Sequence, residues 1–108
     1  METDKKSSAN VLKSYLRYLK LERNYSQNTL DAYSHDITWL MDYCKREALE
    51  VTALQLEDLQ HFAATLHEFQ IGPRSQSRIL SGIRSFYRFL LLDGYIETDP
   101  TELLESPA

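Results

Sequence analysis

A single cysteine, Cys44, excludes an internal disulfide and suits a reducing, cytoplasmic setting. Three glycines and three prolines are too few for a turn-rich β fold, and β-branched alternation is scarce, so helices are the expectation. No apolar run reaches the roughly 20 residues that a membrane helix needs. The start, Met1-Glu-Thr-Asp-Lys-Lys6, lacks the apolar segment of a signal peptide. Patterns that carry chemistry are missing as well. His35, His61 and His67 have no metal-binding spacing, and no second thiol lies near Cys44 to complete a zinc site. There is no glycine-rich phosphate loop, no nucleophile elbow and no Ser/His/Asp set. The adjacent carboxylates Glu57 and Asp58 have a structural place at a helix start. The chain does not read as catalytic by itself, and no cofactor is implied.

What is present fits one domain: 108 residues, 43% of them hydrophobic, enough to bury a core. A net charge of −4 and a pI near 5.3 argue at first against nucleic acid. The distribution is less simple. Residues 1–25 carry six basic and three acidic groups, and 26–68 carry two and eight. Residues 69–92 carry four and none, and 93–108 none and five. Basic and acidic segments alternate, so an acidic protein can still have a polarised surface.

Residues 1–8 are polar and are expected to be disordered. A first helix is predicted from about Ala9 to Arg23, with Val11, Leu12, Tyr15, Leu16 and Leu19 inward and Lys13, Arg17 and Lys20 outward. After a break at Asn24-Tyr25, Ser26 caps a second helix. Its stripe is Leu30, Tyr33, Ile37, Leu40, Met41 and Cys44, which makes Cys44 an inert buried thiol. Trp39 and Tyr43 fall off that stripe, either packed on helix 1 or the tail, which is the expectation, or forming a patch for a partner. Residues 47–55 read as a linker in which Thr52 and Gln55 have capping-box spacing. A third helix over about 56–70 has Leu59, Phe62, Ala63, Leu66 and Phe69 inward, with Gly72 as the left-handed residue that ends it. Pro73 opens a fourth helix that runs to Leu92 before Asp93-Gly94. Asp99 and Pro100 then open a short fifth helix carrying Leu103 and Leu104.

On the fourth helix, at about 100° per residue, Ile79, Leu80, Ile83, Phe86, Tyr87, Leu90 and Leu91 gather on one side. Arg74, Ser77, Arg78, Ser81, Arg84, Ser85 and Arg88 gather on the other, and no Asp or Glu occurs between Phe69 and Leu92. Arginines on successive turns can meet phosphates along a groove, and their forked donors suit phosphate or guanine. Small serines between them allow close approach to a duplex. The plainer reading is a solvated face, although such faces usually mix both signs.

Ser26-Gln-Asn-Thr29 followed by Tyr33, Asp36-Ile37 and Leu40 resembles the opening of the core-binding domain of tyrosine recombinases, the phage-integrase family. Arg78-Ile-Leu-Ser-Gly-Ile-Arg-Ser-Phe-Tyr-Arg-Phe-Leu90 is similar to that domain's fourth helix. Asp99-Pro100, Leu104 and Pro107 look like its exit toward a catalytic domain. The likeness runs from about Val11 through nearly the whole chain and is greatest to the XerC/XerD group.

The resemblance implies an all-α, SAM-like orthogonal bundle of four helices plus a short C-terminal one, over residues 9–105, with 106–108 beginning a linker. It implies half of a clamp on a double-stranded recombination site, a part that only binds within a parent enzyme that cleaves and rejoins DNA without metal or ATP. Carried over by motif, the DNA-binding residues are Ser26, Asn28, Thr29, Arg78, Ser81 and Arg84. Arg74, Ser77, Ser85 and Arg88 join them on helical geometry. The first helix and the terminal segment would meet neighbouring protomers in a tetramer, the isolated chain being a monomer. The nucleophilic tyrosine belongs to the following domain, so none of the seven tyrosines here is implied as catalytic. Two other readings stay open, a helical protein-interaction module and a stand-alone DNA-binding regulator. So do two biological settings, chromosome-dimer resolution and mobile-element integration.

Overall fold

Helix ends in the computed structural model, which describes residues 8–105, are set by local capping groups. Helix α1 (Ser8–Leu21) closes where Asn24 turns left-handed at φ 56° and the Tyr25 N–H reaches back to the Leu19 carbonyl at 3.2 Å. Ser26 is the N-cap of α2 (Gln27–Glu47), its hydroxyl accepting from the Thr29 N–H at 3.3 Å. Ala48, at φ 57°, ends α2 beyond the dipole-matching Lys45 and Arg46. The polar tail expected over 1–8 lies outside the described residues except for Ser8, where α1 already begins, and the linker start at 106–108 lies outside them too.

The stretch read as a linker contains a 3-10 turn, Val51–Ala53. The capping pair before α3 (Leu56–Glu68) is three residues later than Thr52 and Gln55: the Asp58 carboxylate accepts from the Gln55 N–H at 2.9 Å. Gly72 does not end α3. Gln70 takes the left-handed conformation at φ 64°, and the Ile71 N–H returns to the Leu66 carbonyl at 3.1 Å. Gly72 is extended and serves as N-cap of α4 (Pro73–Leu92), whose two ends fall where the proline and Asp93-Gly94 place them. The short fifth helix is a turn instead. Asp99 accepts from both the N–H and the hydroxyl of Thr101, and the Leu104 N–H closes on Thr101, with no helix continuing.

Helix α4 is the centre of the core. Its Ile79, Leu80, Ile83, Phe86, Tyr87 and Leu90 are all buried, and α2 forms its most extensive contact. Leu91, expected inward, is 41% exposed, while Phe89 is buried in its place among the rings of Tyr15, Tyr18 and Tyr95. The exchange follows from α1 packing beside the α4 face that carries Ser85 and Phe89. Tyr87 donates to the Val51 carbonyl at 2.6 Å and so ties α4 to the 3-10 turn.

Trp39 and Tyr43 do pack, and their ring partners among the described residues are on α3 and at its end rather than on α1; the tail lies outside those residues. Tyr43 is buried against Phe62 and shares a 2.8 Å hydrogen bond with His61 Nδ1. Trp39 lies 6.2 Å from Phe69, which is half exposed and has the Arg46 guanidinium over its ring at 5.5 Å. Phe69 is thus a surface ring, not part of the α3 stripe. Among the described residues no helix is long and apolar enough to cross a membrane.

Cys44 is buried, and desolvation pushes its thiol up to about 11. An unfolded thiol ionises near 8.5, so its share of stability is whole below that pH and is lost as pH rises toward 11. Iodoacetamide at pH 8 is expected to label Cys44 only as fast as the chain unfolds. Fast labelling of folded protein would contradict the burial.

Candidate nucleic-acid interface

The polar side of α4 resolves into three lines. Arg74, Ser81 and Arg88 are seven residues apart, which on a helix of 3.6 residues per turn keeps them nearly in line at intervals of about 10 Å. All three are exposed. Neither Arg74 nor Arg88 has a hydrogen bond or ion pair among the described residues. This central line is an unpaired cationic stripe.

The two flanking lines are engaged by the rest of the fold. On one flank the half-buried Ser85 shares a 2.8 Å hydrogen bond with the buried Tyr15 hydroxyl, whose pKa desolvation raises. Arg78 on the same flank is ion-paired: Nη2 lies 3.1 Å from Asp36 Oδ1. On the other flank Arg84 Nη2 donates to the Leu104 carbonyl at 2.8 Å and holds the terminal segment against α4, with Ser77 half-buried beside it. An arginine face with no acid in its own helix is therefore met by one from α2.

Asp36 is the residue that residue-by-residue reasoning missed. It is 5% exposed, in the middle of α2, and faces Gly82 so closely that a methyl there would sit 3.4 Å from its Cβ. A signal existed. Asp36 is one turn from Leu40 and Tyr33 on an apolar stripe, and a carboxylate at such a place calls for a cation across the packing seam.

The start of α2 is less committed to one surface. Ser26 and Asn28 are exposed and Thr29 is half-buried. The Ser26 hydroxyl is used in the cap and also donates to Thr29 Oγ1 at 3.1 Å. Asp36 neighbours Gly82 and Arg78, whereas Tyr33 touches Tyr15, the partner of Ser85. Among the described residues no hydrogen bond joins Ser26, Asn28 or Thr29 to the arginines.

A second surface feature lies away from the stripe. A cleft of about 470 Å³ opens between residues 52–56 and 94–103, with Glu97, Asp99 and Glu102 on its walls and no lysine or arginine among its lining. Leu103 at its rim is 75% exposed.

The family description "phage integrase, N-terminal SAM-like domain" matches residues 12–94. Among curated proteins, a tyrosine recombinase XerC of Leptospira interrogans is 36% identical over 107 residues, 98% of this chain and 34% of the relative. A tyrosine recombinase XerC of Azotobacter vinelandii is 39% identical over 97 residues, 89% of this chain and 32% of the relative. A tyrosine recombinase XerD of Agrobacterium fabrum is 35% identical over 96 residues, 89% of this chain and 29% of the relative. The chain thus spans about a third of the length of the curated relatives it matches. No solved structure matches it significantly.

Proposed function

Because this chain belongs to the phage integrase N-terminal SAM-like domain family, we propose that it is the DNA-gripping unit of a site-specific tyrosine recombinase. Residues 9–105 act as the binding domain, and strand cleavage belongs to a catalytic domain beyond Ala108. The observation that carries the reading is the unpaired stripe Arg74–Ser81–Arg88 on a helix without a carboxylate. The stripe lies along a major-groove edge, with Arg74, Arg84 and Arg88 on phosphates and Ser77, Ser81 and Ser85 letting the helix approach. Ser26, Asn28 and Thr29 reach the same duplex. A cytoplasmic setting suits this role and the buried free thiol.

Protein partners are neighbouring copies on adjacent half-sites. The acidic cleft beside Leu103 and the exposed Lys13, Arg17 and Lys20 of α1 are complementary in charge, which suits a head-to-tail contact that can close into a ring. Trp39 and Tyr43, the other candidates for a partner surface, are occupied within the fold.

Sedimentation of the chain with a 30-base-pair duplex at low salt tests both parts. The chain alone is expected to sediment as a monomer and to join the duplex. The double variant Arg74→Ala/Arg88→Ala should bind at least tenfold more weakly with an unchanged melting temperature, since both side chains are exposed. Equal binding by parent and variant would remove the stripe from the interface, and absence of any binding would remove DNA.

A further inference from the structure

We propose that Asp36 is a positioning residue for Arg78, and that the held guanidinium reads a guanine; the inference rests on the DNA-binding reading above. The observation is where the bonds fall. Arg78 Nε and Nη2 both donate to Asp36 Oδ1, at 3.3 and 3.1 Å. That engages the side edge of the guanidinium. Its end, the outer N–H bonds of Nη1 and Nη2, is left free and directed away from Asp36. The Arg78 side chain is 57% exposed and that of Asp36 only 7%, so the anchored edge lies inside and the free end outside. Two parallel outward donors match O6 and N7 of guanine in the major groove.

Stability gives little reason for this arrangement. A pair whose cation is more than half exposed contributes little, while desolvating its carboxylate has a cost. Ala or Leu at position 36 would extend the apolar stripe of α2. What the carboxylate supplies is order. An arginine free in solution samples many rotamers, whereas one pinned at Nε and Nη2 meets a base edge with most of that entropy already lost. The surroundings suit close approach, since the half-buried Ser77 and the exposed Ser81 are the small outward neighbours of Arg78 on α4. Arg74 and Arg88 have no such anchor, as expected of groups that follow mobile phosphates.

A simpler role for Asp36, a negative charge that weakens all DNA binding, predicts a different result. Selection from a randomised 20-base-pair duplex library at low salt separates the two, using the 108-residue chain, Asp36→Ala and Arg78→Lys. The parent is expected to enrich a guanine at one position. Asp36→Ala should keep bulk affinity within about threefold but lose about tenfold of that enrichment, the scale of one bidentate base contact. Arg78→Lys keeps a cation beside Asp36, and with it the fold, but lacks the fork; it should lose the enrichment too. Replacing the selected guanine by 7-deazaguanine should weaken the parent and leave Asp36→Ala unchanged. Equal guanine enrichment by parent and both variants would overturn the positioning role while leaving the DNA-binding reading intact. Uniformly tighter binding by Asp36→Ala, with no base preference in the parent, would leave only the repulsive charge. A parent that binds no duplex would end both readings.

Discussion

Phe86→Ala is expected to destabilise the chain by about 3–5 kcal/mol, out of the roughly 5–15 kcal/mol that holds a domain of this size. Phe86 is fully buried, edge-on to Tyr15 at 5.1 Å and to Tyr87 at 5.5 Å. Those rings are themselves tied down, Tyr15 to Ser85 and Tyr87 to the Val51 carbonyl, so they are poorly placed to move into the space left behind. A cavity that cannot collapse sits at the upper end of the range. Leu91→Ala, five residues on and exposed, should change stability by about 0.5 kcal/mol or less. Urea denaturation of the two variants tests the assignment of the α4 face. A loss below about 1 kcal/mol for Phe86→Ala would mean that α4 is not the core's centre.

That contrast also marks what was legible in the sequence. The ends of α4 were, because Pro73 and Asp93-Gly94 act on their own few residues. Six of its seven predicted inward residues are buried for the same local reason, the period of 3.6. Leu91 and Phe89 are near the edge of the stripe, where the neighbour decides, and α1 covers Phe89. Gly72 does not take the helix-ending place because a left-handed helix end needs the conformation, not the residue, and Gln70 adopts it two positions earlier. The turn after Asp99 has helix-start signals but too few residues to repay nucleation.

The candidate site was legible in outline and not in state. Composition alone places four arginines and no acid in 69–92. It cannot show that Arg78 meets Asp36 from 42 positions away, that Ser85 meets Tyr15 from 70, or that Arg84 holds Leu104. These are choices made by helix packing, and they divide one arginine face into groups that are free and groups whose side chain is partly held by the rest of the fold. The family likeness could point to Arg78 and Arg84 but not to the difference between them.

That sorting has a measurable consequence in salt. If Arg74, Arg84 and Arg88 each neutralise one phosphate, raising monovalent salt from 50 to 200 mM should weaken duplex binding on the order of 40-fold, a log–log slope of about −2.7. The Arg74→Ala/Arg88→Ala variant should retain a slope of about −0.9 and lose only about threefold over the same interval. Arg78→Ala should behave differently. Its guanidinium is assigned to a base edge, so the slope should stay near the parent's while affinity falls at guanine-containing sites alone. It should also lower stability, because Asp36 would be left buried without its partner. Fluorescence anisotropy of a labelled duplex across four salt concentrations reads all three slopes. A parent slope near zero would exclude phosphate contacts by this face. A slope that falls by about one unit in Arg78→Ala would place Arg78 on the backbone and assign base reading elsewhere.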